Sequence, residues 1–281
     1  MAYRTLIDTT TLAELIAHDG SVVVVDCRFE LANPASGEAA YQAGHIPGAV
    51  YAHLDRDMSG PKTGTNGRHP LPDPAVLRTT LGRLGISAGQ QVVAYDQDSG
   101  MYASRLWWLL RWMGHDAVAV LDGGFAAWTA EGRPAATGVE TRPSATFEGV
   151  PHPELVAAAD ALPAFVASPD TRLLDARAPE RFRGDIEPLD PVAGHIPGGV
   201  NHFFQWNLAG GRFLAADALR QRLSESIGAV EGDRIVCYCG SGVTACHNLL
   251  ALEHAGISGA RLYAGSWSEW VADPTRAVAR G

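Results

Sequence analysis

The sequence predicts an α/β fold built from two tandem copies of one domain, each with a central, mostly parallel sheet flanked by helices. Sequence landmarks recur in the same order about 140 to 150 residues apart, which is the length of one ordinary domain. Within each copy, short apolar runs alternate with helical patterns such as 103–111 and 216–226, as in a parallel sheet covered by helices. Hydrophobic residues make up 46% of the 281 residues and charged residues only 19%, which is typical of a chain with a well-buried core.

The clearest repeated landmark is the motif G-H-I-P-G, which occurs at 44–48 and again at 194–198. Before each motif lies an apolar run that ends in an aspartate, Asp26 in the first copy and Asp175 in the second. Because the histidine of the motif occurs in both copies, we expect it to be structural. The repeats predict an N-terminal domain over residues 1–135, a linker rich in Pro, Thr, Ala and Gly over 136–157, and a C-terminal catalytic domain over 158–281.

Charge and cysteine usage argue against several classes of function. The formal net charge of −9 disfavours nucleic acid or an anionic membrane as a partner. The four cysteines show no paired C-x2-C spacing and the ten histidines form no metal-binding motif, so we expect neither a metal site nor a disulfide framework. The chain also shows no signal-peptide pattern and no apolar run approaching the roughly 20 residues of a membrane span, which favours a reducing, cytoplasmic location.

The strongest candidate for an active-site segment is residues 234–250, with the sequence R-I-V-C-Y-C-G-S-G-V-T-A-C-H-N-L-L. Its apolar start predicts a buried strand; Cys239 follows, and a Gly-rich turn leads into a helical pattern that begins at Ala245. A thiol at such a junction lies near unsatisfied backbone N–H groups and the positive end of the helix, which favours the nucleophilic thiolate. We expect the turn to form an anion-binding cradle from Gly240, Gly242, Val243 and Thr244.

The residues at two positions, 245 and 96, restrict the type of reaction and the domain in which it can occur. Cysteine phosphatases need C-x5-R, but Ala245 stands where the arginine would be, so this class is excluded. In the first copy, Asp96 takes the position of Cys239. A carboxylate cannot carry sulfur and would fill the cradle with its own charge, so we predict that the first domain is catalytically silent.

The segment C-G-S-G-V-T at 239–244 resembles the active-site loop of the two-domain rhodanese-type sulfurtransferases, in particular their 3-mercaptopyruvate branch. The thiosulfate branch typically carries basic residues just after the cysteine, where this chain has Gly240 and Ser241. The resemblance implies tandem rhodanese-like domains, an active site in the second one, and no metal or organic cofactor. It also implies transfer of sulfane sulfur from 3-mercaptopyruvate through a Cys239 persulfide to a thiol, cyanide or thioredoxin-like acceptor, with release of pyruvate.

The resemblance also implies which arginines bind the substrate. Matched on the R-F pair, Arg181 is the counterpart of the family arginine that binds the donor, and a guanidinium suits the planar carboxylate of mercaptopyruvate. Arg177 is expected to be a solvated surface residue. The family usually places a second arginine shortly before the second G-H-I-P-G, but the stretch 185–191 has none and carries three acids. Arg183 is the candidate replacement.

The resemblance implies a Ser/His/Asp set as well, formed here by Ser241, His69 and Asp55. A histidine held by a carboxylate can keep a serine hydroxyl oriented toward the ketone of the donor.

Three other interpretations stay open at this point. The chain can be a thiosulfate sulfurtransferase, with the same cysteine and a different donor. It can be a sulfur carrier or thiol-redox partner in which Cys239 relays sulfur or oxidation state to another protein. It can also be a non-catalytic binding module, which the first domain alone resembles.

Overall fold

The computed structural model describes residues 2–18 and 22–281, and these form two units, each with its own parallel sheet. Two units that each combine a parallel sheet with helices confirm the predicted fold class. The first unit comprises the described residues up to 59 together with 72–152 and 210–212. The second unit comprises Gly60–Leu71, Pro153–Ala209 and Phe213–Gly281, so the segment 60–71 belongs with the second half of the chain by its contacts.

The first unit contains a five-stranded parallel sheet. Its strands are β1 (Leu6–Ile7), β2 (Val23–Asp26), β3 (Val50–Tyr51), β4 (Val92–Tyr95) and β5 (Val118–Leu121). They lie in the order β1-β5-β4-β2-β3. The three longest strands are rich in valine and buried along their whole length, as expected of strands with both faces covered. The helices are α1 (Thr9–His18), α2 (Ser36–Ala43), α3 (Leu54–Asp57), α4 (Pro74–Arg83), α5 (Ala103–Trp112) and α6 (Gly124–Ala130).

The second unit repeats this plan with a four-stranded parallel sheet. Its strands are β6 (Arg172–Asp175), β7 (Gly199–Asn201), β10 (Ile235–Tyr238) and β11 (Arg261–Leu262). Strands β8 (Leu208–Ala209) and β9 (Arg212–Phe213) form a separate two-stranded sheet. The sheet order is β11-β10-β6-β7. The helices are α7 (Leu162–Val166), α8 (Pro179–Arg183), α9 (Ala216–Ile227), α10 (Thr244–His254) and α11 (Ser266–Trp270). Short 3-10 turns occupy Pro153–Leu155, Ala159–Ala161, Phe204–Asn207 and Gly232–Arg234.

Strand β10 fixes the position of Cys239, the residue that follows it. It lies in the interior of its sheet, paired in parallel with β6 on one side and β11 on the other. All four of its residues are buried, so the strand is fixed from both edges and both faces. Cys239 is the next residue, at the carboxyl edge of the sheet, where α/β folds place their ligands.

The duplication extends to a buried ion pair at the end of β2 in the first unit and at the end of β6 in the second. The Nη2 atom of Arg177 lies 2.6 Å from Oδ2 of Asp175 and donates to the carbonyl of Gly194 at 2.7 Å. Arg28 does the same with Asp26 and Gly44. This corrects the expectation that Arg177 is a solvated surface residue, because it is only 3% exposed. The pair holds the first residue of each G-H-I-P-G motif against the strand end.

The histidine of each motif is buried and bonded to backbone. His45 Nδ1 lies 2.8 Å from the carbonyl of Tyr41, and His195 Nδ1 lies 2.8 Å from the carbonyl of Phe182. Their backbones also form antiparallel bridges, to Ala136 in the first unit and to Ala279 in the second.

None of the helices formed by residues 2–18 and 22–281 combines the length and the apolar character needed to cross a bilayer.

Candidate active site

The loop between β10 and α10 surrounds the sulfur of Cys239 with backbone donors. The N–H of Ser241 donates to Cys239 Sγ at 3.4 Å and that of Gly242 at 3.1 Å. Cys239 is only 2% exposed, so these donors act on a sulfur largely removed from water. Backbone amides aimed at a sulfur can stabilise negative charge that develops on it during a reaction.

The loop is anchored to the beginning of α11. The carbonyl of Cys239 accepts from the N–H of Trp267 at 3.0 Å, and the carbonyl of Gly240 accepts from the N–H of Ser268 at 3.0 Å. The hydroxyl of Ser266 accepts from the N–H of Cys239 at 3.1 Å. Three consecutive residues of α11 therefore fix the backbone on both sides of the sulfur.

Gly242 is required by its conformation and by its neighbours. Its φ is +77°, in the left-handed region, and a Cβ there would lie 2.3 Å from the carbonyl oxygen of Ala264. The close approach lets the loop curl so that its N–H reaches Cys239. The other turn residues named from the sequence complete the loop: Val243 is buried, and Thr244 is the first residue of α10.

Two guanidinium groups lie beside the loop. A Cβ on Gly240 would be 2.8 Å from Nη2 of Arg68 and 3.6 and 3.7 Å from Nη2 and Nη1 of Arg181. Arg181 comes from α8 of the same unit, and Arg68 comes from the segment 60–71. Arg68 is not among the site residues predicted from the sequence, although its position directly before His69 was a usable signal.

Carboxylates of the segment after α8 pair with both guanidiniums. Glu187 Oε1 lies 2.6 Å from Arg181 Nη2, and Glu187 Oε2 lies 3.2 Å from Arg181 Nε and 3.3 Å from the buried Arg177. Asp190 Oδ1 accepts from Arg68 Nη1, and its Oδ2 lies 3.6 Å from Arg181 Nη2. The Asp190 side chain is only 3% exposed. Burial raises the pKa of the Asp190 carboxyl, and the hydrogen bond from Arg68 opposes that rise.

Ser241 and His69 meet in the structure. His69 Nδ1 lies 2.8 Å from Ser241 Oγ, and both side chains are buried. The backbone N–H of the preceding residue, Arg68, donates to Ser268 Oγ at 3.0 Å and ties this segment to α11. The arrangement can orient the serine hydroxyl toward a substrate atom near Cys239.

Asp55 and Arg183 are the two remaining predicted site residues. Asp55 is in α3 of the first unit, where its backbone N–H donates to His53 Nδ1 at 3.1 Å. Arg183 ends α8, and its Nη2 lies 2.7 Å from Oδ2 of Asp185 with both side chains about half exposed. Their predicted roles in the set with His69 and in substrate binding stay predictions.

In the first unit the corresponding loop holds a carboxylate. Asp96 Oδ1 accepts from the N–H of Gly100 at 2.9 Å, and Oδ2 accepts from those of Tyr102 at 2.7 Å and Ala103 at 3.1 Å. Burial raises the pKa of Asp96, and these three backbone bonds oppose the rise. The carboxylate therefore occupies the amides at the beginning of α5.

Comparison with known proteins relates the chain to one family. The family model described as the rhodanese-like domain matches residues 8–131 and 158–273. A Pseudomonas aeruginosa protein described as a probable 3-mercaptopyruvate sulfurtransferase is 51% identical over 263 residues, which are 92% of this chain and 93% of that protein. A Mycobacterium tuberculosis protein, provisionally assigned as thiosulfate sulfurtransferase SseB, is 43% identical over 281 residues, covering 99% of this chain and 98% of the relative.

Among solved structures, the crystal structure of SseA from Escherichia coli, presented with the rhodanese fold of 3-mercaptopyruvate sulfotransferases, is similar to this chain. It superposes with a TM-score of 0.82 at 28% identity, covering 94% of this chain and 99% of SseA.

Proposed function

This chain belongs to the rhodanese-like domain family, and on that premise we propose that it is a sulfurtransferase that uses 3-mercaptopyruvate as its sulfur donor. The single observation that carries the proposal is the sulfur of Cys239, bonded to the N–H groups of Ser241 and Gly242 in a loop flanked by two guanidiniums. A sulfur held in this way is suited to act as a nucleophile and to remain anionic after it has accepted a second sulfur.

In the first step the Cys239 thiolate attacks the sulfur of 3-mercaptopyruvate. An S–S bond forms and the donor's S–C bond breaks, and the electron pair of that bond stays on carbon as the enolate of pyruvate. The proton of the donor thiol ends on this carbon, so pyruvate leaves and the enzyme keeps an anionic persulfide. Arg181 is proposed to bind the carboxylate of the donor, with Arg68 beside it.

Ser241 is proposed to act on the ketone of the donor. Its hydroxyl, oriented by His69 at 2.8 Å, can donate to the ketone oxygen as negative charge develops there in the enolate. Asp55 is proposed, on the family resemblance, to be the third member of this set.

In the second step a thiol or cyanide attacks the outer sulfur of the persulfide. The S–S bond breaks, Cys239 returns as the thiolate, and the product is a new persulfide or thiocyanate, which gives ping-pong kinetics. A thioredoxin-like protein is one such thiol. All four cysteines are free in the structure, which supports the reducing, cytoplasmic location that we propose.

Thiosulfate is the second candidate donor. Arg68 adds a second cation beside Gly240, which suits an anion with two charges, and the Mycobacterium tuberculosis relative is named for this donor. The same thiolate would then release sulfite in place of pyruvate.

The proposal is tested by intact mass after the protein is mixed with each donor alone. We expect a gain of one sulfur atom with 3-mercaptopyruvate and formation of pyruvate in equal amount, both absent in Cys239→Ser. Sulfur loading in Cys239→Ser, or an unchanged mass of the wild-type protein with both donors, would show that Cys239 does not carry sulfur.

A further inference from the structure

We propose that Asp190 is a specificity-determining residue whose charge disfavours dianionic sulfur donors relative to monoanionic ones. The inference rests on the proposed function, since it concerns which donor loads Cys239. It is drawn from the charged side chains beside the loop, and the family resemblance assigns no role to this aspartate.

The four charged side chains Arg68, Arg181, Glu187 and Asp190 are called the charge cluster here. Two guanidiniums and two carboxylates give it no net charge, although it lies beside a loop that binds anions. Each guanidinium that could receive a donor is already paired with a carboxylate of its own chain. An incoming anion therefore meets a neutral cluster and a Cys239 sulfur that is itself anionic when reactive.

Within the charge cluster, the negative charge of Asp190 can be removed by substitution with little loss of other contacts. Glu187 also pairs with Arg177, which is bonded to the buried Asp175, so replacing Glu187 would disturb a second, buried ion pair as well. Asp190 bonds Arg68 through Oδ1, whereas its buried Oδ2 makes no hydrogen bond within residues 2–18 and 22–281 and lies 3.6 Å from Arg181. An asparagine at this position can keep the bond to Arg68 and lose only the charge.

The effect of that charge scales with the charge of the donor. Mercaptopyruvate carries one negative charge through its carboxylate, and thiosulfate carries two. Repulsion by a carboxylate in a partly dehydrated site is about twice as large for the dianion, because the Coulomb energy is proportional to each charge. Asp190 therefore lowers binding of both donors and lowers that of thiosulfate more.

The test compares kcat/KM for thiosulfate and for 3-mercaptopyruvate in the wild-type protein and in Asp190→Asn. We expect the ratio of the two values to shift toward thiosulfate by about tenfold, the size of effect that one additional unit of repelled charge gives at a short distance in a partly dehydrated site. Asp190→Glu keeps the charge and is expected to keep the wild-type ratio.

The matched control is Asp170→Asn, which makes the same change of charge in the same unit. Asp170 precedes β6 and therefore lies near the amino edge of the sheet, with a side chain 74% exposed and a pair to Arg234 at 3.7 Å. Screening by water is expected to leave its donor ratio within twofold of the wild-type ratio.

Sulfur loading on Cys239, measured by intact mass, separates this inference from the proposed function. If neither donor loads Cys239 in the wild-type protein, the proposed function fails. If loading occurs and Asp190→Asn leaves the donor ratio unchanged, or shifts it equally in Asp170→Asn, the role of Asp190 is refuted and the proposed function stands. Should Asp190→Asn not fold, Arg68→Gln gives the opposite test, with a ratio expected to shift about tenfold toward 3-mercaptopyruvate.

Discussion

The two repeats build the same junction of strand, turn and helix and place different hydrogen-bond acceptors in it. In the first unit the carboxylate of Asp96 reaches the N–H groups of Tyr102 and Ala103 where α5 begins. In the second unit the shorter side chain of Cys239 stays inside the turn and accepts from Ser241 and Gly242. The same kind of junction thus offers backbone donors to two different groups. The Asp96 carboxylate caps the beginning of α5, and the Cys239 sulfur is the group that we propose attacks the donor.

The turns also differ in length. Five positions separate Cys239 from Thr244, the first residue of α10, whereas seven separate Asp96 from Ala103, the first residue of α5. The longer turn moves the helix amides away from the strand end, and a carboxylate spans that gap. The two repeats therefore differ both in the length of the turn and in the identity of its first residue.

The largest expected effect comes from giving the second loop the anion of the first. We expect Cys239→Asp to lower kcat/KM with 3-mercaptopyruvate by at least about 10³-fold, because the nucleophile is lost. The readout is pyruvate formation together with intact mass, and circular dichroism checks the fold. Substantial remaining turnover in a folded variant would contradict the role of the sulfur.

The reciprocal change is the control for that comparison. Asp96→Cys supplies a thiol at the matching position in the first unit. Without counterparts of Ser241 and Arg181 beside it, the double variant Asp96→Cys, Cys239→Asp is expected to form no pyruvate above the level of Cys239→Asp. Recovery of activity would show that the strand end alone is sufficient.

The next effect separates the donors. We expect Ser241→Ala to lower kcat/KM with 3-mercaptopyruvate by about 10²-fold, the usual effect of losing one donor that acts on a developing oxyanion. Sulfur loading from thiosulfate, which has no ketone, should change less than about threefold, and serves as the internal control. Equal losses with both donors would place Ser241 in the support of the loop and not in ketone activation. His69→Asn and Asp55→Asn should follow the same donor pattern if each acts through Ser241.

A smaller effect tests the structural use of the first loop. Asp96→Ala removes a buried cap from α5 and is expected to lower the free energy of unfolding by about 1–2 kcal/mol while leaving sulfur loading on Cys239 unchanged. The matched control is Asp73→Ala, which removes the exposed cap of α4, where Asp73 accepts from Ala75 N–H at 2.8 Å. We expect a loss of about 0.5–1 kcal/mol there by urea denaturation. A loss for Asp96→Ala no larger than that control would argue against the buried cap.

The last prediction concerns the pH dependence of the free energy of unfolding, to which His202 in the second repeat contributes. His202 follows β7 and is bonded to Ser226 Oγ at 2.8 Å and Asn207 Oδ1 at 3.0 Å; the first repeat has Ala52 at the matching place after its G-H-I-P-G. Asn207 also donates to Asn248 of α10 at 2.8 Å, so this network supports the helix that follows Cys239. Burial lowers the pKa of His202 below its usual value of 6.5.

The sign of the pH dependence follows from the direction of that shift. Below about pH 6.5 the unfolded chain binds a proton at residue 202 that the folded chain does not, so stability is complete above that pH and decreases as pH falls. We expect less than about 1 kcal/mol from this group between pH 7 and pH 6, and up to about 1.4 kcal/mol for each further unit until the folded pKa is reached. Urea denaturation of the wild-type protein and of His202→Gln at pH 8, 7, 6 and 5 measures it. An equal slope in both proteins would contradict the assignment.

Much of the fold could be predicted from the sequence because duplication leaves marks that need no alignment. The motif G-H-I-P-G and the aspartate before it recur, and the structure shows why: each aspartate holds an arginine two residues later, which bonds the first glycine of the motif. The same pattern, D-x-R at 26–28 and 175–177, could have shown that Arg177 is buried. Read alone, an arginine in a polar stretch suggests the surface.

The site was predictable where chemistry is local and not where it depends on distant segments. Cys239 and its glycines lie within one turn, so their spacing carries the information. The closeness of His69 to Ser241 came from the family resemblance, because nothing near residue 69 shows which unit it joins. Arg68 and Asp190 are 122 positions apart in sequence, and only the three-dimensional structure reveals that they pair.

The anchoring of the Cys239 loop to α11 has a consequence for the catalytic cycle. Successive carbonyls, at Cys239 and Gly240, accept from successive amides, at Trp267 and Ser268, so hydrogen bonds within the protein orient the peptide groups around the sulfur. We therefore expect Cys239 to accept and pass on sulfur without a change in the main-chain conformation of the loop.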